Sequence, residues 1–205
     1  MPAARVDAGP EPRPRRGFVV FRALVYALLA ADVALYARYG RATELVDTAA
    51  WFVLLLLFEW ETGGWRMPKR ARVPVRMVRV LAGLAVALAV AGYAWEREWL
   101  DFANEAAWLG VVVLLELEVR VPHDLRDLHR WRRCVATVLY AALVAFMLVW
   151  LADGIVGDEP LHAFLDAWDA LLWLVAFATI ELNVFGLGPG RDARRARSVQ
   201  PTPRS

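Results

Sequence analysis

Three segments of the chain carry an acid or amide, a tryptophan and a second acidic group at fixed intervals. They are Asp47-x3-Trp51-x7-Glu59-Trp60-Glu61, Asn104-x3-Trp108-x7-Glu116-Leu117-Glu118 and Asp169-x3-Trp173-x7-Glu181-Leu182-Asn183. Each lies in a strongly apolar stretch. Ionisable groups inside a membrane are costly, so they face the protein interior or a wet cavity, where they bind cations, relay protons or close ion pairs. Asp32, the lone acid deep in another apolar run, has no counterpart 57 residues on, where Ala89 stands. An unmatched buried acid is a candidate for proton or cation handling.

On an α-helix, Asp47, Trp51, Phe58 and Glu61 fall within about 40° of Asp47, whereas Glu59 points about 160° away from Glu61. The two acids of one motif therefore face different surroundings. This division expects Asp32, Glu61, Glu118 and Asn183 to line a cation pathway. It expects Glu59, Glu116 and Glu181 to pair with Arg22, Arg79 and Arg133 of neighbouring helices. Asp47, Asn104 and Asp169 lie roughly 18 Å from the second acid of their own motif at 1.5 Å per residue, and a first-turn or N-cap role is expected for them. Trp51, Trp108 and Trp173 are expected to pack between repeats, one turn inside an aromatic belt.

The elements that must hold these residues follow from hydropathy. Of 205 residues, 59% are hydrophobic, and the mean hydropathy is +0.39. That excess suits a lipid-facing surface. Six apolar stretches near 17–38, 43–62, 77–96, 102–121, 134–152 and 163–187 can each cross a hydrocarbon core, which takes about 20 helical residues. The flanking residues 1–16 and 188–205 are rich in Pro, Arg and Ala and read as disordered basic tails.

Cations gather in alternate connections. Arg66, Lys69, Arg70, Arg72 and Arg76 follow the second stretch, Arg126, Arg130, Arg132 and Arg133 follow the fourth, and both tails are Arg-rich. The other connections hold Arg41, then Arg97 beside Glu98 and Asp101, then Asp153, Asp158 and Glu159. The positive-inside rule puts both termini in the cytoplasm, in a multi-pass protein of the cell inner membrane.

The spacing between motif copies is 57 and then 65 residues. The first offset carries Arg22 onto Arg79, and the third copy of that cation is read as Arg133, with an 11-residue lengthening of the intervening turn around 154–161. The expected fold is an all-α integral membrane protein of six transmembrane helices. It is built from three tandem parallel helical-hairpin repeats, about 17–65, 74–121 and 131–187, in a pseudo-threefold bundle within a domain spanning 17–187.

The fragment Trp108-x7-Glu116-x3-Arg120 resembles the second helix of voltage-sensor domains, where an aromatic, an acid and a base recur at similar intervals. The likeness covers residues 108–120. The other two copies lack the trailing Arg and no helix carries Arg at every third position, so the family is not assigned.

Two functions fit these patterns. One is a small cation channel or transporter acting on a monovalent or divalent cation. The other is a non-transporting membrane scaffold whose acids are closed by Arg. A membrane enzyme is a more distant alternative. His123, His129 and His162 fall in two connections on opposite sides, Cys134 is alone, and no nucleophile–base pair, phosphate loop or metal-ligand motif is present in the sequence. No enzymatic activity, cofactor, metal or nucleic-acid partner is expected. The lipid bilayer is the expected partner, and a homo-oligomer is left open.

Overall fold

The computed structural model describes residues 16–62, 68–120 and 126–184. The expected tails 1–16 and 188–205 therefore fall almost wholly outside the described residues. Six α-helices follow one another: α1 (Arg16–Tyr39), α2 (Ala42–Thr62), α3 (Arg72–Glu96), α4 (Trp99–Arg120), α5 (Arg126–Val156) and α6 (Pro160–Val184). A short 3-10 turn, Lys69–Ala71, leads into α3. Pro74 sits in the first turn of α3, where its missing N–H is harmless.

Two boundaries differ from the hydropathy reading. α3 begins at Arg72 and α5 at Arg126, because helix propensity carries both past the apolar run that marks a membrane crossing. Between Arg126 and Asp153 there is neither Gly nor Pro to stop the helix.

Four helical segments are long and apolar enough to cross a membrane: Val19–Tyr39, Arg72–Glu96, Arg130–Val156 and Pro160–Thr179. α2 and α4 fall outside that set. Each carries at least four acids, Glu44, Asp47, Glu59 and Glu61 in the first and Asp101, Glu105, Glu116 and Glu118 in the second. The faces of α3 and α5 turned away from the protein are unusually apolar for a surface in water. Val73, Met77, Val80, Leu81, Leu84 and Leu88 on α3 are exposed, as are Val138, Val144, Leu148, Val149 and Ile155 on α5. A continuous apolar face of this kind is consistent with a membrane protein.

The chain divides into two compact units, residues 28–174 and, among the described residues, 16–27 with 175–184. In the smaller unit Val25, Ala176 and Phe177 are buried, and the Thr179 hydroxyl donates to the Val175 carbonyl at 2.7 Å.

In the larger unit α2 packs on α3, α4 on α5, and α3 more loosely on α4. Small residues allow the first two approaches. A Cβ at Gly92 of α3 would lie 2.9 Å from Thr43 Cγ2 of α2, and one at Gly110 of α4 would lie 3.0 Å from Leu139 Cδ1 of α5. The core of this unit includes Leu29, Val86, Leu143, Val111 and Leu114. Trp150 packs with Ala167 and Ala170 at one end, against Leu100, Phe146 and Met147.

Candidate functional site

The starts of α2, α4 and α6 present the same face. Residues three, four and seven apart along a helix share one side. Glu44, Asp47, Thr48 and Trp51 are spaced this way on α2, Asp101, Asn104, Glu105 and Trp108 on α4, and Asp166, Asp169, Ala170 and Trp173 on α6. α1, α3 and α5 add Tyr36, Tyr93 and Trp150, each 57 residues after the last. These faces converge on a cavity of about 30 Å³ lined by Tyr36, Glu44, Asp47, Thr48, Tyr93, Asp101, Asn104, Glu105, Trp150, Asp166 and Asp169. At about 10–15 Å³ per water, it has room for about two.

Local structure holds the first of these acids in place. Arg41 stands at the N-cap position of α2, and its backbone N–H donates to Glu44 Oε2 at 2.8 Å, the returning half of a capping box. A Cβ at Gly40 would lie 2.6 Å from Tyr36 Cδ1 and 2.9 Å from Glu44 Oε2, so the turn between α1 and α2 closes this tightly only on glycine. At the next turn Arg97 takes a left-handed conformation, φ 63°, and its N–H donates to the Tyr93 carbonyl.

Side-chain hydrogen bonds then tie the helices together. The Tyr36 hydroxyl donates to Asp166 Oδ1 at 2.8 Å, and the Tyr93 hydroxyl to Asp47 Oδ2 at 3.3 Å. Trp51 Nε1 donates to Glu105 Oε2 at 2.8 Å, and Trp173 Nε1 to Asp169 Oδ1 at 3.0 Å. The Trp51 and Trp173 rings meet edge to face at 6.3 Å.

A cation guards the mouth. Arg41 Nε donates to Glu44 Oε1 at 2.6 Å and Nη1 to Glu98 Oε1 at 2.5 Å, while Nη2 stands 3.7 Å from Asp101 Oδ2. Burial by itself would lower the pKa of Arg41, but its bonds to Glu44 and Glu98 outweigh that and raise it. Asp101 is pushed up to about 7, first by burial and then by the charge of Asp166, with Arg41 opposing.

The interior of the cavity is short of donors. Asp47, 6% exposed, and Asn104, 8% exposed, each leave Oδ1 without a hydrogen-bond partner. Beyond the cavity wall Asp32 is 0% exposed, and neither carboxyl oxygen receives an N–H or O–H. A buried acceptor without a partner is costly, and acids gathered from three helices repel one another. Chemically, such an arrangement can accept a proton, a small cation or a hydrogen bond donated by water. Among the described residues, no three His, Cys, Asp or Glu side chains converge as a metal ion would require.

The sequence-derived candidates divide between two ends of the protein. Asp32 is brought beside Asp169, one of the cavity acids. Glu61, expected on the same pathway, is 41% exposed at its side chain and forms an ion pair with Arg79 at 2.5 Å. It lies roughly 21 Å along α2 from Asp47, at 1.5 Å per residue.

Arg79, expected opposite Glu116, reaches Glu61 because α3 packs on α2. Glu59 is half-buried, Glu116 exposed, Arg22 half-buried and Arg133 exposed. The side chains of Glu118, Glu181 and Asn183 lie outside the described residues, as does His123.

Asp47, Asn104 and Asp169 do not cap their helices. Each is in the second turn or later, and all three point into the cavity. Trp51, Trp108 and Trp173 are buried.

The residues missed by the sequence reading are Glu44, Asp101 and Asp166, Glu105, and the aromatic set Tyr36, Tyr93 and Trp150. Their signal was present. An acid stands three residues before each motif, and the aromatics repeat at the 57-residue offset. No family model matches the chain, nor does any curated protein or solved structure.

Proposed function

We propose that the protein is a small multi-pass membrane protein that takes up cations into the acidic cavity from the non-cytoplasmic side, acting as a cation channel or transporter. The observation that carries this reading is the convergence of carboxyls from α2, α4 and α6 on one small cavity, with acceptor oxygens of Asp47 and Asn104 left unpaired inside it. Rings of acidic side chains draw cations into pores by the same electrostatics. The pathway expected from Asp32, Glu61, Glu118 and Asn183 is revised accordingly: the uptake site is Asp47, Asn104, Glu105 and Asp169, with Asp32 beneath it.

In this reading all six helices cross the inner membrane, with α2 and α4 entering by their acidic ends, and both termini are cytoplasmic by the positive-inside rule. Three tandem hairpin repeats account for the shared faces. A constant offset of 57 also relates the buried Leu29, Val86 and Leu143 of α1, α3 and α5. That register puts Ala136, in place of Arg133, opposite Arg22 and Arg79, and shortens the inserted length in the last outer turn to eight residues.

The test is ion flux by the purified full chain in liposomes under K⁺, Na⁺, Mg²⁺ and H⁺ gradients. Flux of at least one ion, lost in Asp47→Asn/Asp169→Asn, is the expected result. A folded protein that moves none of the four overturns it. That outcome favours the alternative, a membrane scaffold, which draws support from the closed Arg79–Glu61 pair and from the Arg41 network.

A further inference from the structure

Asp32 stands apart from the acids that line the cavity. It lies one turn before Tyr36 on α1, is wholly buried, and has two carboxyl oxygens to which no N–H or O–H donates. Facing it is the Asp169 carboxyl, within hydrogen-bonding reach, which on its other side accepts from Trp173 Nε1 at 3.0 Å. Two carboxyls brought together away from water do not both ionise. One proton held between them turns a repulsion into a hydrogen bond.

The groups around the pair act in the same direction. Tyr36 and Asp166 lie within electrostatic range of Asp32, and Asp47 of α2 and Glu105 of α4 within that of Asp169. The negative charge of the acids among them opposes a second negative charge at the pair, and Tyr36, a neutral phenol, supplies no cation to offset it. Asp47 and Glu105 themselves form a second carboxyl–carboxyl contact.

Two observations bear on which cation this chemistry suits. The cavity, about 30 Å³, has room for about two waters at about 10–15 Å³ each, too few to hydrate a metal ion. The described acids also meet two at a time and nowhere as a three-ligand metal set. Hydroxyls continue the line outward, since Tyr36 donates to Asp166 and Tyr93 to Asp47.

We propose that Asp32 and Asp169 form a proton-binding site, a carboxyl pair sharing one proton at the floor of the cavity, and that the ion handled by this protein is H⁺ and not a metal cation. This rests on the cation-uptake reading above and names its ligand.

The experiment is infrared difference spectroscopy on the full chain in lipid vesicles, with external pH stepped through neutrality in H₂O and D₂O. A protonated-carboxyl band that shifts in D₂O is expected in the wild type. The same component should be lost in Asp32→Asn and in Asp169→Asn, and kept at a shifted position in Asp32→Glu. Helix content by circular dichroism identifies any variant that fails to fold, and Asp32→Glu tests the pair without removing a carboxyl.

A wild type without the band, or a band indifferent to both Asn variants, overturns the assignment. Flux measured alongside keeps the two readings separate. H⁺ flux with the band supports both. Metal-ion flux without the band overturns the proton site and leaves cation transport standing, whereas the band without flux of any ion supports the proton site and overturns transport.

Discussion

The acids at the two ends of this protein are treated in opposite ways. At the end where α2 meets the basic connection, Glu61 is exposed and closed by Arg79. At the other end Asp32, Asp47, Glu105 and Asp169 are gathered in and beside the cavity, and the ion pairs found there among the described residues are those of Arg41. Both ends use acidic side chains, and α2 contributes to each. An exposed ion pair contributes about 0–1 kcal/mol, while buried acids without counterions are retained at a standing energetic cost. A cost of that kind marks the place where function is to be sought.

The largest contrast should appear in transport. Asp47→Asn/Asp169→Asn is expected to reduce ion flux at least about tenfold, equivalent to about 1.4 kcal/mol, whereas Glu61→Gln should change it less than about twofold. Equal losses from both ends would abolish the distinction. Next in size is the buried layer of Leu29, Val86 and Leu143. Leu143→Ala should lower stability in detergent by about 2–4 kcal/mol, read by thermal or denaturant unfolding, since a fully buried Leu leaves a void. A cost below about 1 kcal/mol would mean that this layer is loosely packed.

A smaller effect is expected at the cavity mouth. Burial pushes the Asp101 carboxyl up to about 7 in the folded protein, from an ordinary value of 3.8. Between those values the folded state binds more protons than the unfolded one, so stability falls as pH rises from about 4 through 7. The melting temperature should therefore be lower at about pH 8 than at about pH 5, and Asp101→Asn should reduce that difference. A profile unchanged by Asp101→Asn would assign the slope to other groups. The smallest effect belongs to the far end, where a double-mutant cycle on Arg79→Gln and Glu61→Gln should give a coupling of under about 1 kcal/mol. A coupling of several kcal/mol would place that pair in a far drier setting than its exposure implies.

Much of the helical framework was legible in advance, because crossing a bilayer imposes a length and a hydropathy that one strand of sequence displays by itself. Four of the six stretches meet that standard in the structure. The helix limits of α3 and α5 were misjudged because hydropathy reports where lipid would begin, and helix propensity continues past it. The site was half visible. Asp47, Asn104 and Asp169 were singled out by spacing, yet a cap role was assigned to them, because the expectation placed them in a first helical turn. Asp47 and Asn104 stand sixth in their helices and Asp169 tenth in α6, and the acids that do begin the cavity, Glu44, Asp101 and Asp166, stand three residues earlier.

What the sequence determined alone was local and periodic: the helices, the recurrence of acid and tryptophan at fixed spacing, the segregation of Arg to alternate connections, and the singularity of Asp32. Each follows from intervals along one chain. Tertiary packing decided which acids meet. The packing of α2 on α3 carried Arg79 to Glu61, while Tyr36, Tyr93, Asp47, Glu105 and Asp169 came together across five helices. Side-chain direction around a helix can be computed from sequence, but the partner it meets depends on how neighbouring helices are turned and set in depth. The pairing of Asp32 with Asp169, 137 residues apart in the chain, is a product of that setting.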